Sequence, residues 1–430
     1  MKDINNLANA LMELDDKLIA CMKCGLCQAV CPVFGATMLE ADVTRGKIAL
    51  LENLARKLID DAEAVNDKLG RCLLCGSCQV NCPSGVSIMN IFMQARHIVG
   101  AYLGLSPVKK LIFRSLLAKP GLFNALTRLG LPLQGLVMRR QNNMQGTACA
   151  PLLSKFIGER HIPALPAKPL HAATGALDTP IGASGVKIAF FPGCMGDKLY
   201  TGMAEACLKI FTHHGVGVYL PSGLACCGMP ALASGDQEGA VKQIIASVDV
   251  LKKGNFDYLV TPCGSCTATI KEWWPHLAHR MPVEYRTVTD ALSAKAMDVS
   301  ALLIDVLKVE APPQSTGSRK VTYHDPCHLK KSLGISSQPR DLIKLNPAYE
   351  LVEMAEADRC CGCGGSFNLF HYKLSKDIGQ RKRNNVVNSG AQVVATGCPA
   401  CMMQLTDMLA QNNDPVTVKH PVELYAETLP

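Results

Sequence analysis

The sequence predicts an α+β multidomain chain, with a helix-rich, cysteine-bearing module first and two repeated α/β domains after it. Three observations lead there. Two short cysteine runs lie within the first hundred residues, flanked by leucines at helical spacing. The second half of the chain contains a duplication. In each copy, β-rich runs end at cysteines and alternate with helical stretches, the pattern of parallel α/β units. Accordingly, residues 1–100 are expected to form the first module and 101–185 a basic amphipathic helical segment and linker. Residues 186–310 are expected to form the first repeat and 311–430 the second.

Composition bounds the chemistry. The chain has 430 residues, 48% of them hydrophobic, enough for sizeable cores and two to four domains. Its 21 cysteines are too many for incidental use. Disulfide frameworks belong mostly to short secreted chains, whereas this one is long and starts MKDINNLANALMELDDKL, without a basic stretch followed by an apolar one. A reducing, cytoplasmic setting and thiols that serve metals are expected, with peripheral attachment to the inner face of a membrane as a variant. No apolar run is long enough to span a bilayer.

The first module is read from residues 5–19, with Leu7, Leu11, Leu14 and Leu18 at helical spacing, and from residues 46–59, GKIALLENLARKLI. Between and beyond them lie Cys21-Met-Lys-Cys24-Gly-Leu-Cys27-Gln-Ala-Val-Cys31-Pro32 and Cys72-Leu-Leu-Cys75-Gly-Ser-Cys78-Gln-Val-Asn-Cys82-Pro83. Both read C-x2-C-x2-C-x3-C-P, the bacterial ferredoxin run for [4Fe–4S] clusters, in which the fourth cysteine ligates the other cluster. Cluster I is therefore assigned to Cys21, Cys24, Cys27 and Cys82, and cluster II to Cys72, Cys75, Cys78 and Cys31. Structural zinc sites pair two cysteine knuckles across a longer gap, so two cubane clusters are the better reading. The long insert between the runs resembles the helix-rich ferredoxin module of succinate and glycerol-phosphate dehydrogenase iron–sulfur subunits. Arg45, in that insert, is a candidate to face a cluster's negative charge or to form a surface salt bridge.

The next segment is basic. No acidic residue lies between Asp67 and Glu159, while eleven lysines and arginines do, more than the net charge of +8 of the whole chain. Pro107, Pro120 and Pro132 divide residues 100–140 into short amphipathic helices. A membrane surface or an acidic partner is one reading of residues 106–140; a solvated face is the other. Residues 160–185, rich in Pro, Ala and Gly, read as linker.

In the duplication, VKIAFFPGC ends at Cys194 and KVTYHDPC at Cys327. Cys226-Cys227-Gly228 matches Cys360-Cys361-Gly362, and Cys263 and Cys266 match Cys398 and Cys401. The offsets are 133, 134 and 135 residues. Cysteines at the carboxyl ends of parallel strands can converge. The gaps of 31 and 35 residues, then 32 and 36, with Gly after each cysteine pair, resemble the cysteine-rich CCG domain of heterodisulfide reductase subunits. That resemblance implies one or two further [4Fe–4S] clusters, non-cubane and held by all five cysteines of a set. Cys149, Cys207 and Cys363 are expected to be buried or incidental thiols, Cys363 least securely. His324 and His328, near Cys327, are candidates to relay protons or to hydrogen-bond cluster sulfurs, against the commoner structural role.

Two ferredoxin runs followed by two CCG repeats resemble the iron–sulfur subunit of glycolate oxidase and related D-lactate dehydrogenases. The order is also similar to that in the cluster-binding subunits of anaerobic glycerol-3-phosphate dehydrogenase and of heterodisulfide reductase. In the glycolate oxidase family the first repeat is incomplete; here both are full, which leans toward the lactate-oxidising or heterodisulfide-type relatives. The resemblance implies an electron-transfer subunit that takes electrons from an FAD-containing dehydrogenase partner to a quinone, membrane or soluble acceptor. No G-x-G-x-x-G follows a strand, so no flavin is expected on this chain. Nucleic acid is not expected as a partner, for lack of aromatic or zinc-finger spacing.

Overall fold

The computed structural model describes residues 3–130, 138–140, 147–149, 160–310 and 319–430. In the first module, Leu7 and Leu11 on Ile4–Met12 pack with Ile48, Leu51 and Leu54 on Thr44–Ala55 and with Ile91, Phe92 and Val99 on Ile88–Leu103. The helix expected over 5–19 is two helices, Ile4–Met12 and Asp15–Ile19. Asp15 and Asp16 occupy the first turn of the second, where carboxylates favour a helix start. The buried apolar cluster continues without interruption into the first repeat, through Leu232, Ile244 and Trp274.

Ahead of the repeats, three short strands pair antiparallel in chain order: β1 (Met138–Arg140), β2 (Thr147–Cys149) and β3 (His161–Ile162). Both repeats are α/β, as expected. In the first, strands β4 (Leu177–Asp178), β5 (Lys187–Phe190), β6 (Gly217–Leu220), β7 (Tyr258–Thr261) and β8 (Ala296–Asp298) lie in the order β4-β6-β5-β7-β8. All pairs are parallel except β4 with β6. In the second, β9 (Arg319–Tyr323), β10 (Tyr349–Leu351), β11 (Val393–Ala395) and β12 (Thr417–Lys419) form a parallel sheet in the order β10-β9-β11-β12. Replacing each strand of the second by its counterpart gives β6-β5-β7-β8, so the duplication extends to topology. In both repeats every cysteine loop lies beyond the carboxyl end of a strand.

The stretch read as linker is therefore not featureless, since β3 and the antiparallel edge strand β4 fall within it. Two- and three-residue strands are too short to show a period. In the basic segment, Pro107 and Pro120 open the helices Pro107–Leu111 and Pro120–Gly130, because proline suits the first helical position. Between them, Ile112–Leu116 buries Phe113, and Arg114 grips Asp236 of the first repeat with bonds of 2.9–3.2 Å. Pro132 lies outside the described residues. Among the described residues, no helix is long and apolar enough to cross a membrane.

The glycine after each cysteine pair has a backbone reason. Gly228 has φ +101° and Gly362 +93°, so either position strains any other residue. A Cβ at Gly362 would also meet the Ser375 carbonyl oxygen at 2.8 Å, whereas at Gly228 the nearest atom is Ala240 Cβ at 3.5 Å. Gly228→Ala is expected to cost about 1–3 kcal/mol and Gly362→Ala more. Thermal melts of the anaerobically purified variants check this; equal shifts would mean that the Ser375 contact is immaterial.

Candidate cluster sites and the thiol chain

The two ferredoxin-type loops share one conformation. Lys23 and Leu74, before the second cysteine of each run, have φ of 54° and 52°, and Gly25 and Gly76, after it, have 90° and 70°. Left-handed residues at such spacing turn successive N–H groups toward one side, a cradle for an anion such as a thiolate-bound cluster. At Gly25 a Cβ would lie 2.5 Å from Arg45 Nη1. Arg45 pairs with Glu40 (2.6 Å) and reaches the Lys23 carbonyl (3.4 Å), so both roles considered for it meet at one guanidinium beside the first loop.

Cys31 joins Cys72, Cys75 and Cys78 around a cavity of about 20 Å³, the cross-run grouping that the spacing predicts. Burial pushes the Cys31 thiol up to about 12, and Cys78 also well above the ordinary range. Cys75 is raised by its hydrogen bond to Cys360 and by burial. Four thiols grouped around one cavity are the donor set that a four-iron cluster takes, and a metal would replace their protons. The buried Lys47 sits beside Cys31 and Cys72 and donates to the Asp42 carbonyl. The first set lies nearer solvent: Cys24 is exposed, and Cys21, Cys27 and Cys82 are half-buried.

The ten cysteines of the two repeats line a single cavity of about 130 Å³. Cys363, expected to be incidental, lines it too, while Cys207 is buried in a separate apolar cluster. The side chain of Cys149 lies outside the described residues. The repeats use the same internal pattern. Hydrogen bonds from Cys226 and Cys266 hold Cys227 well below the ordinary thiol range, and those from Cys360 and Cys401 do the same for Cys361. Cys226 is pushed up by its bonds to Cys194 and Cys227, and Cys401 by its bonds to Cys361 and Cys398. Cys194 and Cys226 sulfurs are 3.7 Å apart. Trp274 Nε1 fixes one cysteine pair by donating to the Cys227 carbonyl (2.9 Å), and Ser375 Oγ fixes the other through the Gly362 carbonyl (2.8 Å).

Three junctions tie these sets together. Cys263 hydrogen-bonds Cys398 across the repeats, beside a backbone bond from Gly264 N to the Gly397 carbonyl (3.0 Å). Cys75 meets Cys360, and Lys331 Nζ donates to Ser77 Oγ (2.6 Å), itself 3.4 Å from Cys75 Sγ. Arg96, buried on the helix Ile88–Leu103, donates to the carbonyls of Leu69 and Cys72 (2.6 Å each) and of Ala233 in the first repeat. Among the described residues, sulfur follows sulfur from Cys75 through Cys360, Cys361, Cys401, Cys398, Cys263, Cys266, Cys227 and Cys226 to Cys194.

The two candidate histidines separate. His328 lines the cavity as a strut: Nε2 donates to the Leu74 carbonyl (3.1 Å) and Nδ1 meets Ser265 Oγ (3.1 Å), so one ring touches all three parts of the chain. Burial lowers its pKa, and drives that of His324 down to about 3. His324 lies behind the second set, with Nδ1 on the Ala357 carbonyl (3.1 Å). Sequence reasoning missed Lys47, Arg96 and Lys331. The available signal was a lone charge on an apolar helical face, as at Arg96 between Phe92 and Val99.

Comparison with known proteins agrees with this architecture. A 4Fe-4S dicluster domain matches residues 17–86, and a cysteine-rich domain matches residues 188–271 and 321–406. The chain is 30% identical over 424 residues to the probable glycolate oxidase iron–sulfur subunit of Bacillus subtilis (strain 168), covering 94% of this chain and 92% of that one. The chain belongs to the glycolate oxidase iron–sulfur subunit family, so its complete first repeat does not set it apart from that family as the sequence leaned. It is also similar to lactate utilization protein A of Geobacillus kaustophilus, 31% identical over 242 residues, 56% of this chain and 98% of that protein. One component of a fumarate reductase (CoM/CoB) from Methanothermobacter marburgensis is 28% identical over 239 residues, 56% of this chain and 45% of its own. The chain is thus an iron–sulfur protein of the glycolate oxidase and lactate utilization type.

The grouping of Cys31 with the second run has a measurable consequence. Cys31→Ser and Cys75→Ser should remove the same cluster signal, and Cys24→Ser the other. With all four sites filled, the anaerobic protein should carry about sixteen iron atoms, falling by about four in each variant. Iron assay with EPR checks both; Cys31→Ser and Cys24→Ser abolishing one common signal would reverse the grouping.

Proposed function

We propose that this chain is the electron-transfer subunit of a flavin-dependent 2-hydroxy-acid dehydrogenase, for lactate or glycolate, carrying electrons from an FAD-containing partner to an acceptor at a membrane surface. The observation that carries this reading is that thiols from Cys75 to Cys194 gather in adjoining buried groups, Cys75 packed with Cys360 and the ten cysteines of the repeats around one chamber. Iron–sulfur clusters, when held by these cysteines, supply one-electron carriers. The exposed Cys24 marks where a flavoprotein would dock, because the first set is nearest to solvent. Cys75 and Cys360 then order the second repeat before the first, and Cys263 and Cys398 connect the two.

The far end lies under the basic segment. The Cys226 N–H donates to the Leu117 carbonyl (3.3 Å), and Leu117, Pro120 and Phe123 share a small cavity with Cys194. The outer face of that segment exposes Val108, Leu111, Leu122, Leu126 and Leu129 among the exposed Lys110, Lys119 and Arg128. Apolar and cationic side chains together suit an anionic lipid surface, which supports a membrane-side acceptor such as a quinone and a place on the cytoplasmic face.

A second reading has one observation in its favour: both cysteine sets face one cavity, where a disulfide could be reduced. The experiment separates the two. With hydroxy acid and flavoprotein, Cys75→Ser should leave both repeats oxidised, and Cys194→Ser should leave the second repeat reducible while turnover with the acceptor falls at least tenfold. Full turnover in Cys194→Ser would defeat the proposed exit. Cleavage of a thiol-cofactor disulfide by the wild-type chain with a reductant would favour the second reading.

The lipid contact is tested separately. The protein should float with anionic vesicles at low salt and be released at high salt, and Leu111→Glu with Leu126→Glu should weaken flotation. No flotation at low salt would exclude the lipid surface.

A further inference from the structure

We infer that His324 is an iron ligand of the second repeat, through Nε2, and that the two repeats therefore hold chemically different sites. The inference rests on the reading that the second cysteine set binds a cluster. His324 is fully buried, and its Nε2 has no hydrogen-bond partner, an expensive state for a polar atom unless something else occupies the lone pair. A ring nitrogen of His324 and the sulfurs of Cys361 and Cys401 lie within 4.8 Å of one another. Donors this close can share one first-row metal.

The tautomer decides between ligation and a hydrogen bond to sulfur. A carbonyl only accepts, so the bond of 3.1 Å to Ala357 puts the proton on Nδ1. In the neutral ring Nε2 then has a lone pair and no hydrogen to give. A backbone carbonyl on the far nitrogen is the usual outer partner of a metal-bound histidine. The ring is also held in place. His324 N donates to the Ala395 carbonyl (2.9 Å), and the next residue, Asp325, is clamped by Arg340 through two bonds of 2.8 and 2.9 Å.

The first repeat supplies an internal comparison. The residue three before Cys327 is His324; the residue three before Cys194 is Phe191. The Phe191 ring stands edge-on to Trp274 at 6.4 Å and offers no donor. The second site therefore offers an imidazole where the first offers a phenyl ring. A neutral donor adds no charge to a site already rich in thiols.

The test uses the full chain, purified anaerobically from cells fed ¹⁵N-histidine, with pulsed EPR of the second-repeat signal, identified as the one that Cys361→Ser removes. A strongly coupled nitrogen whose frequency changes with the isotope is expected, and it should vanish in His324→Phe, which copies the first repeat. A signal that Cys361→Ser removes but that carries no histidine coupling overturns the inference and leaves the cluster reading standing. Iron content and signals untouched by Cys361→Ser overturn the cluster reading and the inference with it. Should His324→Phe fail to accumulate, the wild-type isotope effect alone decides.

Discussion

Thiols have to be buried to form an insulated path, yet thiolate is a charge that an apolar interior rejects. The rest of the fold serves that conflict. Burial drives Cys31 up to about 12 and Cys78 well above its ordinary range. The same surroundings keep these groups protonated in the absence of metal, and a metal that displaces the proton would also neutralise part of the thiolate charge. Lys47 and Arg96, two buried cations near Cys72, offset part of the remaining negative charge of the second set.

Convergence follows from topology. Parallel strands deliver all their loops to one end, so each repeat can gather five thiols from three loops without a long excursion. Two such ends, apposed through Gly264 and Gly397, close one chamber between them. The first module completes the wall with Leu73 and Leu74, held there by His328 and Lys331. The parts do not meet as independent domains, since one buried apolar cluster runs from Leu7 to Trp274 and reaches Cys401.

Much of this was legible in the residues. IAFF, YLVT, VTYH and VVAT announce strands because β-branched and aromatic residues cluster just before cysteines, and strands formed there. The proline after Cys31 signalled a thiol aimed at the other run, and Cys31 lies with Cys72, Cys75 and Cys78. What could not be read depends on tertiary pairing. Nothing local says that Cys263 meets Cys398, that His328 reaches Leu74, or that Cys363 faces the chamber rather than the core. The edge strand at Leu177–Asp178 and the break at Leu14 are decided by one or two residues, below the length at which periodicity speaks.

The chamber's walls come from stretches far apart in the chain, around Leu73, Cys194 to Cys266, and Cys327 to Cys401. During synthesis, the eight cysteines of the first module are complete once residue 82 has been made, whereas the last wall of the chamber arrives only with Cys401. Since the apolar cluster of the first module continues through Ile244 and Trp274 to Cys401, the ferredoxin-type loops gain their full burial only when residues more than three hundred positions later have joined them.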